Sequence, residues 1–148
     1  MQRIVAGHLR GRRLRALPTG VAVRPTAARV REAIFSRLFD RVVGVTLLDL
    51  FAGSGAFTFE ALSRGAERAI AVDHDAAVIR HLRAQSEDFC LSKAVECVHG
   101  DACTWLRRGR GSRPPAALVF VDPPYAEVAL PNEVLAALAA GGWLCDRA

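Results

Sequence analysis

A chain of 148 residues, 51% of them apolar, is about one domain, long enough to bury a core and too apolar to stay disordered. No apolar run approaches the roughly 20 residues of a membrane-spanning helix, and the opening MQRIVAGHLRGRR lacks the apolar centre of a signal peptide, so a cytoplasmic protein is expected. The net charge of +5 is unevenly spread: residues 1–41 hold ten arginines against Glu32 and Asp40, whereas the rest of the chain is slightly acidic.

Such a basic arm on a near-neutral body points to a polyanion, with Arg10, Arg12, Arg13 and Arg24 as the expected phosphate contacts. Every cation of the arm is arginine, the residue suited to bidentate phosphate binding. The competing reading is a solvated face that serves solubility alone. Cys90, Cys97, Cys103 and Cys145 form no C-x-x-C pair and fit no zinc spacing, so reduced thiols and no metal are expected.

In chain order, RIVAG and RRLRAL alternate apolar and polar residues around Gly7 and Gly11, which reads as a short β-hairpin. LPTGVAVRP is a loop. TAARVREAIFSRLFD then reads as a helix, with Thr26 as N-cap and an apolar face of Val30, Ile34 and Leu38. Residues 1–25 are therefore expected to form a basic hairpin and loop, and residues 26–148 the catalytic domain.

From residue 45 the pattern changes. VTLLDL, RAIAVD, AVECVHG and ALVFV read as strands, separated by the helical stretches AFTFEALSRGA, DAAVIRHLRAQSEDF and DACTWLRR, and by the basic loop GRGSRPP, expected to be flexible. LPNEVLAALAA follows as a last helix. Strands alternating with helices predict an α/β fold with a doubly wound parallel sheet. GGWLCDRA reads as the approach to another strand, and a parallel sheet ending there would leave an edge bare, so a fragment is expected.

The stretch LLDLFAGSGAF runs a buried strand through a glycine turn into a helix, the place where open α/β sheets bind ligands. Gly53 and Gly55 are expected to let the backbone approach a ligand. A dinucleotide fingerprint fails, because Thr58 stands where a third glycine or alanine belongs. A serine-hydrolase elbow fails too, because Ala52 and Ala56 flank the turn in place of glycines. A tight turn with no ligand is the plain alternative. Against it stands Asp49, four residues before the first glycine, which suits a cationic ligand and not a pyrophosphate. Asp73 ends the second strand, in place for a ribose hydroxyl pair, and Asp101 follows the third, in place to accept from an exocyclic amine. Three acids at successive strand ends match an adenosine with a positively charged amino-acid tail, which is S-adenosylmethionine.

The fourth strand ends in Asp122-Pro123-Pro124-Tyr125. A planar exocyclic amine is a poor nucleophile, since its lone pair is delocalised into the ring. Asp122 and the carbonyl of Pro123 are expected to accept its two hydrogens and align that lone pair, while Tyr125 stacks on the base. The prolines keep the acceptors rigid. An ordinary Asp-Pro turn is the alternative.

With DLFAGSGAFTFEALSRGA, VDHD, GDA and VFVDPPY in view, the sequence resembles the Class I methyltransferases that act on exocyclic amines. RIVAGHLRGRRL and RPTAARVREAIFSRL narrow the resemblance to the bacterial 16S ribosomal RNA guanine-N2 methyltransferases, over Arg3 to Tyr125. It implies a Rossmann-like domain that binds S-adenosylmethionine through Asp49, Phe51, Ala52, Gly53, Gly55, Asp73, His74, Asp101 and Ala102. It further implies that Arg24-Pro25-Thr26 closes over the cofactor, that Asp122, Pro123 and Tyr125 hold the guanine amine, and that the arginine-rich hairpin touches 16S ribosomal RNA, free or within a small-subunit particle. A monomer is expected. Two departures stand out: the family usually has Glu where this chain has Asp73, and it continues past residue 148 with a further strand and a terminal hairpin. The alternatives are an adenine-N6 DNA methyltransferase, which needs a recognition insert that 148 residues leave no room for; a protein-glutamine methyltransferase, which usually has Asn in place of Asp122; and a non-catalytic RNA-binding remnant.

Overall fold

The computed structural model describes residues 2–21, 26–123 and 129–146. Four strands, β1 (Thr46–Leu50), β2 (Arg68–Asp73), β3 (Val95–His99) and β4 (Leu118–Val121), form one parallel sheet in the order β3-β2-β1-β4. Five helices connect and flank them: α1 (Ala28–Leu38), α2 (Ala56–Ser63), α3 (Ala76–Asp88), α4 (Ala102–Arg107) and α5 (Leu130–Ala140). Among the described residues no helix is long and apolar enough to cross a membrane.

Alternate strand residues face opposite ways, and the sheet separates two apolar cores. Leu47, Ala69 and Ala71 pack with α1, α2 and α3 through Phe35, Phe57, Phe59, Val78 and Leu82. Leu48, Leu50, Ile70 and Val72 pack with α4 and α5 through Trp105, Leu106, Val134 and Leu138. Burial of both faces explains why the central strands read as unbroken apolar runs. The chain winds from β1 outward to β3, then returns to the other side of β1 to lay down β4. The connection reverses between β1 and β4, and the loops after these two strands leave the sheet at the same edge. Near the end of the described chain, Leu144 forms a parallel bridge to Ala116, just before β4.

The N-terminal segment turns back on itself as a short antiparallel hairpin, with a bridge between Arg3 and Arg13 and backbone bonds from Ile4 to the Arg12 carbonyl (3.0 Å) and from Leu14 to the Gln2 carbonyl (3.0 Å). Its apolar residues serve another purpose: Ile4, Leu9 and Leu14 are buried in the same core as Phe35 and Phe59. Gly7, at φ 81°, lies so close to α2 that a Cβ there would come within 1.8 Å of the Ser63 carbonyl oxygen. The arm is thus pinned to the body.

Glu60, wholly buried on α2, ties three parts of the chain together. Its carboxylate accepts from the backbone N–H of Val5 (2.8 Å) and Ala6 (3.0 Å) and from Arg64 Nε (2.8 Å), and faces Arg31 Nε at 3.5 Å. Arg31, equally buried, also donates through Nη2 to the Arg3 carbonyl at 2.6 Å. This corrects part of the expected face of α1, whose Ile34 and Leu38 do pack against the core. The helix turns Arg31 and Phe35 inward and leaves Val30 about half exposed, because an arginine with a carboxylate and a carbonyl to meet can occupy a core position. The loop expected to be flexible is also tied down: Arg113 grips Glu96 (Nη2 at 2.7 Å) and lies 5.5 Å from the Trp105 ring centroid, while Arg110 donates to the carbonyls of Gly142 and Arg113.

Arg31→Ala leaves the Glu60 charge buried beside a void. A loss of about 3–5 kcal/mol in a urea titration is expected; a loss under about 1 kcal/mol would show that the ion pair is dispensable.

Candidate active site

The turn after β1 is built by unusual backbone. Phe51 takes φ 64°, Gly53 φ 52° and Gly55 φ 74°, and Gly55 opens α2 without a side-chain cap. Gly55 has a packing reason of its own. A Cβ there would stand 2.5 Å from Leu82 Cδ2 and 2.7 Å from the Phe59 ring, so the missing side chain faces the interior and lets α2 settle on α3. The Ala52 N–H donates to the Val72 carbonyl (3.0 Å), carrying the β1–β2 pairing one step into the turn. Ser54 Oγ donates to Gln2 Oε1 (2.7 Å), so the arm also touches this turn.

Asp73, buried at the end of β2, holds the turn from the other side. One of its oxygens accepts from the Gly53 N–H (3.0 Å) and the other from the Asp75 N–H (2.9 Å). His74, exposed, sits with Nδ1 3.6 Å from Asp73. Asp101 caps α4, its carboxylate accepting from the Thr104 N–H (2.7 Å), which holds its carboxyl below the usual range. Phe51, Val72, Asp73, His74, Gly100, Asp101, Ala102 and Leu130 line one slot of about 190 Å³. Five of the residues singled out in the sequence thus share a cavity with two apolar walls, Val72 and Leu130, that sequence reasoning missed. Leu130 arrives from α5, far along the chain, and carries no local signal.

Asp49 lies under the turn, fully buried on β1. Its Oδ2 accepts from both the N–H (3.1 Å) and the hydroxyl (2.6 Å) of Thr58. In the sequence Thr58 served only to exclude a dinucleotide; in the fold it is what Asp49 leans on. These bonds favour the carboxylate, but burial outweighs them, and the nearby charges of Asp122 and Asp73 add to it, so the Asp49 carboxyl is pushed up to about 7. Among the described residues no cation pairs with it.

Asp122 follows β4, at the edge where Asp49 and the glycine turn converge, since Leu50 pairs with Val121. Its Oδ2 accepts a hydrogen bond from Thr26 Oγ1 at 2.9 Å. Thr26 was expected to cap α1 and to meet the cofactor. The first is corrected: Ala27 is the N-cap, and the Thr26 hydroxyl bonds Asp122, while Thr26 is not among the residues lining the slot. Pro123 is partly buried beside it. Tyr125 and Arg24 lie outside the described residues.

The arm's arginines divide into two groups. Arg31 is in the core; Arg15 forms a bidentate pair with Asp88; Arg12 donates to the Asp88 carbonyl (3.0 Å) and stacks 5.0 Å from the Phe89 centroid. Arg12, though exposed, therefore also braces the arm. Arg10 and Arg13 are exposed, and no hydrogen bond or ion pair among the described residues engages their guanidinium groups.

The raised Asp49 has a signature in the empty protein. Its folded pKa lies above the unfolded value, so the protonated form is favoured by folding; that stabilisation is complete below about pH 4 and is lost as pH rises through about 7. Asp49→Asn keeps an acceptor for Thr58 without the charge. It is expected to raise the melting temperature at pH 8 by several degrees and to leave it nearly unchanged at pH 5; an equal effect at both would show that Asp49 carries no buried charge.

The family described as "Conserved hypothetical protein 95" matches residues 2–148. Ribosomal RNA small subunit methyltransferase D of Escherichia coli K12 is 39% identical over 148 residues, covering 99% of this chain and 71% of that protein. The protein of the same name from Haemophilus influenzae is 34% identical, covering 99% of this chain and 75% of that one. The solved structure of the E. coli protein yhhF superposes with a TM-score of 0.85 at 38% identity, covering 98% of this chain and 76% of that one. The chain belongs to the family of the small-subunit methyltransferase D proteins and is a methyltransferase with the Class I, Rossmann-like fold.

Proposed function

We propose that this chain transfers the methyl group of S-adenosylmethionine to the exocyclic N2 amine of a guanine in 16S ribosomal RNA. The observation that carries the reading is Asp49: a buried carboxylate with two acids near it and, among the described residues, no pairing cation, under the glycine turn whose Phe51 lines the slot. Such a corner has a standing requirement for positive charge, and a sulfonium nucleoside with an amino-acid tail supplies it. The residues present fit that group. Phe51, Val72 and Leu130 offer apolar walls for a flat base; Asp73 retains lone pairs for ribose hydroxyls beyond the two backbone N–H groups it holds; Asp101, exposed, can accept from the exocyclic amine of the adenine. When bound, S-adenosylmethionine supplies an electrophilic methyl group.

The remaining chemistry belongs to the chain. Asp122 and the Pro123 carbonyl accept the two N–H bonds of the guanine amine and orient its lone pair; the proton leaves after transfer, so Asp122 need not be a strong base. Tyr125, two residues after Pro123, offers a ring for the base to stack on. A guanine in structured RNA has to be splayed out to reach this edge, and the cations of the arm can hold the flanking phosphates while it enters. The relatives' names, which specify small-subunit ribosomal RNA, support the choice of substrate.

The test is to incubate the protein with labelled S-adenosylmethionine and unmodified 16S RNA, then digest and identify the labelled nucleoside. N2-methylguanosine is expected; label in N6-methyladenosine would overturn the base assignment, and no cofactor heat in calorimetry with folded protein would favour a non-catalytic RNA-binding remnant. Asp122→Ala is expected to abolish transfer with cofactor affinity within a few-fold of the parent; parallel loss of both would make Asp122 structural. Changing Arg10 and Arg13 together to Ala is expected to weaken RNA binding and lower the slope of log affinity against log salt by roughly 1–2. An unchanged slope removes the arm from the RNA interface.

A further inference from the structure

Thr26 precedes α1 yet leaves that helix uncapped. Ala27 occupies the N-cap with no side-chain bond, although a threonine hydroxyl at a helix start is typically worth about 1 kcal/mol to the helix. Its hydroxyl instead donates to Asp122 Oδ2 at 2.9 Å, across 96 positions of sequence. The donor is firmly mounted. One residue, Ala27, separates Thr26 from Ala28, the first residue of α1, and α1 is fixed by Arg31 on Glu60 and by Phe35, 1% exposed, in the core. The acceptor is not: Asp122 is exposed, follows the last residue of an edge strand, and feels the negative charge of Asp49.

We propose that Thr26 is the positioning residue of the methyl-transfer site. Its hydroxyl holds one oxygen of Asp122 so that Oδ1 is turned to the incoming amine, and it steadies the carboxylate against the neighbouring acid. A hydroxyl has one proton to give, so bonding to Oδ2 leaves Oδ1 for the substrate, and the side-chain torsion of Asp122 is set before the base arrives. The proposal deepens the reading that Asp122 holds a guanine amine, and it rests on that reading.

Thr26→Val keeps the shape and removes the donor; Thr26→Ser keeps the donor. With saturating S-adenosylmethionine and RNA, Thr26→Val is expected to lower kcat roughly tenfold to a hundredfold, the range for losing a hydrogen bond to a charged group. Cofactor affinity by calorimetry should stay within about threefold, and Thr26→Ser should restore most of kcat. Thr26→Ala, read in the same assays, serves if the valine variant does not fold. A kcat within twofold of the parent, a serine variant as slow as valine, or a fall in cofactor affinity parallel to kcat would each overturn the proposal; the last would place Thr26 on the cofactor. Asp122→Ala, run alongside, separates the two levels: if it keeps transferring methyl groups, the parent reading fails, and if it is inactive while Thr26→Val is not, only the positioning role does.

Discussion

Burying a carboxylate that no cation among the described residues pairs with is the constraint around which this edge is organised. Asp49 could not remain ionised in an apolar interior unaided, and the fold supplies partial relief through the N–H and hydroxyl of Thr58, both on one oxygen. The relief is incomplete, since desolvation and the neighbouring acids still push its carboxyl up to about 7. A site left in that condition is stabilised by a ligand that brings positive charge, and by linkage such a ligand stabilises the fold as it binds. The same three acids that make the empty edge costly give it selectivity, because a pyrophosphate or another anionic nucleoside would add to the repulsion.

The second organising element is the Glu60 knot, some distance from the slot. One carboxylate fastens Val5 and Ala6 of the arm, Arg31 of α1 and Arg64 of its own helix. Through Arg31 the helix that Thr26 precedes is locked; through the arm, Gln2 is brought to Ser54 in the glycine turn. A single buried acid therefore fixes two approaches to the site: the hydroxyl on Asp122 and the side chain on the turn. Both are supported by packed secondary structure, which favours a preset geometry over one assembled on binding.

How much of this the sequence discloses depends on whether the signal is local. The strands and helices from residue 45 onward follow from periodicity, since burial of both sheet faces writes itself as short apolar runs between amphipathic stretches. Phe51, Asp73, His74, Asp101 and Ala102 could be named because the parallel register puts successive strand ends side by side. Leu130 could not, because its place on the slot is set by how α5 docks. Thr58 was visible only as the residue that spoils a glycine motif. On α1 the apolar repeat pointed to Val30, Ile34 and Leu38, and the helix turned by about one residue, because hydropathy counts Arg31 as a surface residue while Glu60 and the Arg3 carbonyl make it a core residue.

The arm shows the same lesson in its charges. Ten arginines against two acids read as a uniform cationic surface, yet composition does not distinguish a guanidinium that meets solvent from one already committed. Arg31 is committed in the core, Arg15 to Asp88, and Arg12 to the Asp88 carbonyl and the Phe89 ring. These contacts are what keep the arm flat against α2 and α3, with Arg10 on the turn of the hairpin and Arg13 in its bridge to Arg3. A polyanion that meets cations held this way loses less freedom on binding than one that must order a flexible tail. The committed arginines thus turn part of the net charge into packing: they hold the arm against the C-terminal ends of α2 and α3.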